Sequence, residues 1–171
     1  PPYFSEARGW QTVDLDGNHY IDMSMAGIGA TLLGYADPDV TEAVTERIRN
    51  GCMCSLNPPD EVALAELLLE FHPWASMVRL GRLGGETMMI AVRIARARTG
   101  RDKIAFCGYH GWHDWYQSAN YLVDPDSGEY PFAGIEPIGV PRALAGTAVP
   151  FSYGDLDMLG RLFSEHQGQV A

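Results

Sequence analysis

Gly81-Arg82-Leu83-Gly84-Gly85-Glu86-Thr87 decides how this chain is read, because it stands where a strand-like run, Met77 to Leu80, passes into an apolar-periodic helix from about Thr87 to Arg98. Residues without a Cβ let backbone N–H groups approach an anion closely, and a helix N-terminus adds unspent donors and a favourable dipole. The stretch is a phosphate cup in outline. Strand-to-helix turns also use glycine for shape alone, so the cup by itself leaves a ligand site and a plain turn both open. No Lys-Ser/Thr follows it, as a Walker loop requires, and its spacing is not the G-x-G-x-x-G of dinucleotide folds. A Rossmann-type oxidoreductase also needs an acid near the end of the next strand, where Gly108 and Tyr109 stand instead.

Working outward, Lys103 to Cys107 is again strand-like, and the order strand, glycine loop, helix, strand describes a parallel crossover unit of an α/β fold. Beyond it lies Gly108-Tyr109-His110-Gly111-Trp112-His113-Asp114-Trp115-Tyr116, in the loop at a strand's carboxyl end where open α/β sheets place their ligands. Aromatics, imidazoles and an acid together make a wall for a planar, ionisable ligand. Most single aromatics in such a loop fold against the core. Tyr109, between Gly108 and Gly111, is the best stacking candidate. His110, His113, Asp114 and Cys107 also invite a metal reading, but no second cluster completes the ligand set and Cys52-Met53-Cys54 is not C-x-x-C, so no metal is expected.

Upstream, Gln11 to Met23 alternates apolar and polar residues around Asp16-Gly17-Asn18, a hairpin turn signal. Asp37 caps a predicted helix with Pro38 in its first turn and Val40, Val44 and Ile48 at helical spacing, ended by Gly51. A second helix, capped by Asp60, runs through Leu64, Leu67, Leu68 and Phe71, and its wide apolar face predicts deep burial. Downstream, Asp124 to Gly146 reads as a long Pro- and Gly-rich excursion, Ala148 to Tyr153 as a strand, and Leu156 to His166 as a surface helix.

The formal net charge of −10 is spread along the chain, which makes nucleic acid and anionic membrane poor partners. No run approaches the roughly 20 apolar residues that span a bilayer. Three cysteines in a chain of this size point to a reducing, cytoplasmic setting. The first residue is Pro1 and the last, Ala171, follows a helix-like stretch, so both ends read as cut.

Taken in order, Asp14-Leu15-Asp16-Gly17-Asn18-His19-Tyr20-Ile21-Asp22, Leu33-Gly34-Tyr35 with Pro38, Gly84-Gly85-Glu86 ahead of Arg93-Ile94-Ala95-Arg96, Thr99-Gly100-Arg101-Asp102-Lys103-Ile104, and Tyr109-His110-Gly111-Trp112-His113-Asp114 resemble the class III pyridoxal-phosphate-dependent aminotransferases. The likeness runs from about Trp10 to Asp157 and is strongest to the glutamate-1-semialdehyde aminomutase group and to sugar-modifying members. It implies a fold type I enzyme (aspartate aminotransferase-like), incomplete here: residues 1–50 as the hairpin and helix of the small domain, and 51–171 as the first part of the large parallel-sheet cofactor domain. It implies pyridoxal 5'-phosphate as cofactor, small-molecule amino donors and acceptors, and a homodimer. Backbone amides of a Ser-Gly-Thr-Glu-Ala stretch hold the phosphate in the family, which assigns that role to Gly84 and Gly85, puts Tyr109 on the face of the ring, and makes His110 a further cofactor-binding residue. Here the family's Ser falls on Leu83, its Thr on Gly85 and its Ala on Thr87, so two hydroxyls are missing and the Thr87 hydroxyl is the candidate replacement. Glu86, at a helix start, reads as a capping group rather than a catalytic one.

Such enzymes hold the cofactor as a Schiff base to lysine. The single lysine here, Lys103, falls in the family pattern at the start of a strand, opposite the cofactor loops, and is expected on the surface. No catalytic residue is therefore assigned within the chain, and the fragment alone is expected to be inactive. The alternative reading is a non-catalytic relative that binds a phosphorylated ligand or a partner subunit. No stretch offers an unambiguous carboxylate-binding arginine, so the substrate stays open.

Overall fold

The computed structural model describes residues 3–122 and 136–171, and their packing divides them into two units, one ending at Ser76 and the other running Met77–Ala171. The packing division falls after Ser76, whereas the domain border drawn from the sequence falls after residue 50.

In the first unit, strands β1 (Phe4–Arg8), β2 (Gln11–Asp14) and β3 (His19–Ile21) form an antiparallel sheet in sequence order. The predicted hairpin is the β2–β3 pair. Asp14 organises its turn by accepting from the backbone N–H groups of Asp16 and Asn18 (both 2.9 Å), the Asn18 amide (2.9 Å) and the Tyr20 hydroxyl (2.9 Å). These donors hold its carboxyl down at about 2, the Asn18 side chain contributing most. Strand β1 has no counterpart in the sequence reading, since Phe4-Ser5-Glu6-Ala7-Arg8 has no β-branched residue.

Helix α1 (Pro38–Arg49) starts as expected: Asp37 accepts from the Val40 N–H at 3.1 Å, and Gly51, at φ +85°, follows the end. Helix α2 (Pro59–Phe71) departs from expectation twice. Its N-cap is Pro58, leaving Asp60 inside the first turn, and none of its residues is buried, Ala65, Leu68 and Leu69 being only partly covered.

The second unit holds helix α3 (Gly84–Thr99), strand β4 (Ile104–Phe106), the short helix α4 (Asp114–Gln117), strand β5 (Ala148–Pro150) and helix α5 (Leu156–Glu165). Strands β4 and β5 pair in parallel, Ile104 with Ala148 and Phe106 with Pro150. Met77 to Leu80 is not a strand, because no described segment offers it a hydrogen-bonded ladder, so the expected crossover is not formed through that run. The part of the predicted excursion at 124–135 lies outside the described residues. Beyond it, the Tyr121 hydroxyl donates to the carbonyl of Val140 at 2.5 Å, tying the returning chain to the turn after α4. The predicted surface helix is α5, capped by Asp155 accepting from Met158 N–H at 2.7 Å.

The buried apolar side chains around α3 and β4 are Val92, Phe106, Trp115, Tyr116, Ala119 and Ala148. Phe106 meets Tyr116 edge-on at 5.1 Å between ring centres, and Trp115 at 6.0 Å. This aromatic cluster lies directly beneath the loop from Gly108 to His113, so the core fixes the loop's base.

Candidate functional site

The first helical hydrogen bond of α3 runs from Thr87 N–H to the Leu83 carbonyl at 3.0 Å, so the N–H groups of Gly84, Gly85 and Glu86 precede it and are not spent inside the helix. The Glu86 carboxylate turns back and accepts from the Arg82 N–H at 2.7 Å, just before the N-cap Leu83, closing the loop onto its own helix. The capping role expected for Glu86 matches this geometry. The Thr87 hydroxyl donates to the Leu83 carbonyl at 3.1 Å, which commits its proton to the helix. It also fills the space beside Gly81, where a Cβ would lie 2.6 Å from Thr87 Oγ1.

Strand β4 delivers the chain into the aromatic loop, where Gly108 (φ +83°) and Gly111 (φ +98°) supply left-handed turns on either side of Tyr109 and His110. His110 Nε2 lies 2.7 Å from the Cys107 carbonyl, and its ring packs edge-on against Phe106 at 5.9 Å. His110 is thus anchored to the base of the loop. Tyr109 is 65% exposed and touches the buried Tyr116 through a perpendicular contact at 5.7 Å, which leaves much of its ring open to solvent. Of the aromatics in the loop and helix α4, Trp115 and Tyr116 belong to the core and Tyr109 and Trp112 face outward. Residue types alone could not separate the two pairs.

The cup and the loop meet at their glycines. A Cβ on Gly111 would lie 2.7 Å from the Gly85 Cα, and a Cβ on Gly85 would lie 2.4 Å from His113 Nε2. Neither position has room for a side chain, so the start of α3 and the aromatic loop touch backbone to backbone. Around Gly84, by contrast, a Cβ would meet nothing within 4 Å, and the residue faces open space. Its N–H therefore stands at an exposed helix start, and that of Gly85 lies next to it where the helix meets the aromatic loop. The donor set and the glycine cradle fit a phosphorylated planar ligand. Among the described residues, no three His, Cys, Asp or Glu side chains gather as a metal set would require.

Lys103 lies at the other end of β4. It is half-buried rather than fully on the surface: its Nζ is 3.1 Å from His166 Nδ1, and its backbone pairs with the segment around Val170. The strand runs from Lys103 toward the loop, so the amine and the cup sit at opposite ends of the same strand.

The loop from Met25 to Gly29, in the first unit, carries positive φ at Ala26, Gly27, Ile28 and Gly29. For the β-branched Ile28 that conformation is uncommon.

The family profile described as "Aminotransferase class-III" matches residues 2–119. Glutamate-1-semialdehyde 2,1-aminomutase of Thermoplasma volcanium is 35% identical over 173 residues, covering 100% of this chain and 40% of that protein. The crystal structure of an omega-transaminase from Sphaerobacter thermophilus superposes with a TM-score of 0.85 at 34% identity, over 99% of this chain and 39% of that one. A second solved structure, a transaminase with PLP bound, superposes with a TM-score of 0.83 at 28% identity, over 97% of this chain and 38% of that one. The chain therefore spans about 40% of the length of the curated relative it matches, and it carries the fold of the corresponding part of these transaminases.

Proposed function

Since the chain belongs to the class-III aminotransferase family, we propose that the cup and the aromatic loop hold pyridoxal 5'-phosphate in an enzyme that moves an amino group, as a transaminase or an aminomutase. The observation that carries this reading is the Gly85–Gly111 approach. It sets the start of α3, with its unspent N–H groups, against the loop that carries the partly exposed Tyr109. In this reading Gly84 and Gly85 donate their N–H groups to the phosphate, while Tyr109 covers a face of the ring. His110, anchored on the Cys107 carbonyl, keeps the loop in register with the ring. The Thr87 hydroxyl, already donating to Leu83, is left with its lone pairs and contributes mainly by shaping the loop at Gly81. When bound, the cofactor supplies the electron sink that lets an amino group be exchanged.

The described residues bring no amine to the cup, because Lys103 is held by His166 at the far end of β4. The reading accordingly assigns the Schiff-base lysine to a part of the protein outside these 171 residues and expects these residues alone to be inactive. Residues 1–50 then belong to the small domain and 51–171 to the cofactor domain of a cytoplasmic homodimer acting on small-molecule amino donors and acceptors. A non-catalytic relative that only binds a phosphorylated ligand is the second reading. It is favoured by Leu83 and Gly85 standing where the family carries hydroxyls.

The test is a titration of the full-length protein with pyridoxal 5'-phosphate and with unphosphorylated pyridoxal. A working cup predicts at least about tenfold tighter binding of the phosphorylated form, the size of a hydrogen bond to a charged group. Tyr109→Ala should weaken both ligands by a similar factor of about two to ten, as expected for a lost ring contact. Equal affinities in the unsubstituted protein contradict the cup. An absorbance band that forms on the 171 residues alone and vanishes in Lys103→Ala contradicts the placing of the lysine. Amino transfer by the full-length protein separates the enzyme from the non-catalytic reading.

A further inference from the structure

We propose that His113 is a phosphate-binding residue of the cup and that its Nε2 stands in for a hydroxyl the motif lacks. The proposal rests on the reading of the cup as a pyridoxal 5'-phosphate site and goes beyond it by naming a side chain that neither the sequence pattern nor the relatives assign.

The cup of this chain is poor in side-chain donors. Leu83 and Gly85 carry none, and the Thr87 hydroxyl proton is used by the Leu83 carbonyl. The structure fills the vacant place with another polar atom. A Cβ on Gly85 would lie 2.4 Å from His113 Nε2 and 2.9 Å from its Cδ2, so the imidazole occupies the volume into which a threonine at this position would project. The same ring lies 3.2 Å from where a Cβ on Gly111 would stand, between the cup and the aromatic loop. Gly85 and His113 therefore form one unit: the loss of the side chain at residue 85 makes room for the imidazole.

The ring is held by its backbone. The His113 carbonyl caps α4 by accepting from the N–H groups of Tyr116 (3.0 Å) and Gln117 (2.8 Å), and its own N–H donates to the Gly111 carbonyl at 3.1 Å. The residue is half-buried, and no described residue bonds to either ring nitrogen. The nearest carboxylate of the cup, Glu86, is turned away to the Arg82 N–H. An imidazole N–H beside the unspent amides at the start of α3 adds a side-chain donor to the backbone ones, and a hydrogen bond to an anion is stronger than one between neutral groups.

The experiment measures the affinity of the full-length protein for pyridoxal 5'-phosphate and for pyridoxal in three forms: unsubstituted, His113→Ala and His113→Gln. His113→Ala should weaken the phosphorylated ligand about tenfold to a hundredfold while pyridoxal stays within about twofold, and His113→Gln, which restores an N–H donor, should recover part of the loss. A loss shared equally by both ligands, or no loss, overturns the proposal. Should the variants not fold, the unsubstituted protein decides: the ring nitrogen resonances of His113 should move with pyridoxal 5'-phosphate and not with pyridoxal, and a shift with neither or with both overturns it. An unsubstituted protein that does not prefer the phosphorylated ligand removes the cup itself. One that prefers it equally with and without His113 removes only this assignment.

Discussion

Gly111 and Gly84 look alike in the sequence and have opposite physical reasons to be glycine. Gly111 sits at φ +98°, and a Cβ there would lie 2.7 Å from the Gly85 backbone. Gly84 is the first residue of a helix with open space around it. Gly111→Ala should therefore destabilise the full-length protein by about 2–4 kcal/mol, combining an unfavourable φ with overpacking against backbone. Gly84→Ala should change stability by less than about 1 kcal/mol and in the favourable direction, since alanine is the better helix former. Urea denaturation of the two variants checks both, and equal effects would show that the two backbones do not touch as described. The sequence points to Gly84, Gly85 and Tyr109 through a motif, and to His113 only as one imidazole of the aromatic loop, with no role at the phosphate. That role becomes visible only once folding has placed its ring beside Gly85, and the one signal available in the sequence is the missing side chain at 85 itself.

At the level of elements, capping chemistry makes the helices legible only in part. Asp37 with Pro38 marks a real start, because a cap is a local event that needs no distant partner. Asp60, read as a cap, instead lies inside the first turn of α2 behind Pro58, and the cap at Asp155 is seen only in the structure. The strands are less legible for the converse reason. Met77 to Leu80 has strand-like residues but no ladder among the described residues, and β1 lacks strand-like residues but gains a ladder from β2. The hairpin turn of β2 and β3 carries its own test. Asp14 is lowered from 3.8 to about 2 by donors from Asn18, Tyr20 and Asp16. A carboxyl lowered on folding contributes order that is complete above its unfolded value and is lost as pH falls toward the folded one. The turn should therefore hold at about pH 5 and loosen between about 3.8 and 2. Titration of the Asp14 carboxyl carbon by NMR should give a midpoint near 2, with the Asn18 amide resonance moving in step. A midpoint at the ordinary 3.8 would show that those hydrogen bonds do not persist in solution.

At the scale of the molecule, the buried apolar residues among those described all belong to the second unit, while α1 and α2 have no residue in the buried class. Leu32 (88% exposed), Met77 (85%) and Leu64 (45%) are among the large apolar residues left open. Surfaces of this kind associate unless something covers them. The 171 residues expressed alone should thus aggregate or self-associate in size-exclusion chromatography, and a monomer with one cooperative unfolding transition would contradict that. Length points the same way, since the chain spans 40% of the aminomutase it matches. Within that share the proposed division of labour has donors at the start of α3 and a ring on the loop after β4, while the single lysine precedes that strand at its other end. The most direct measurement is a crystal structure of the full-length protein with pyridoxal 5'-phosphate. The account predicts phosphate oxygens accepting from the N–H groups of Gly84 and Gly85, the Tyr109 ring against the pyridine, and Lys103 still paired with His166. A cofactor whose phosphate lies away from the start of α3, or one joined to Lys103, would contradict it.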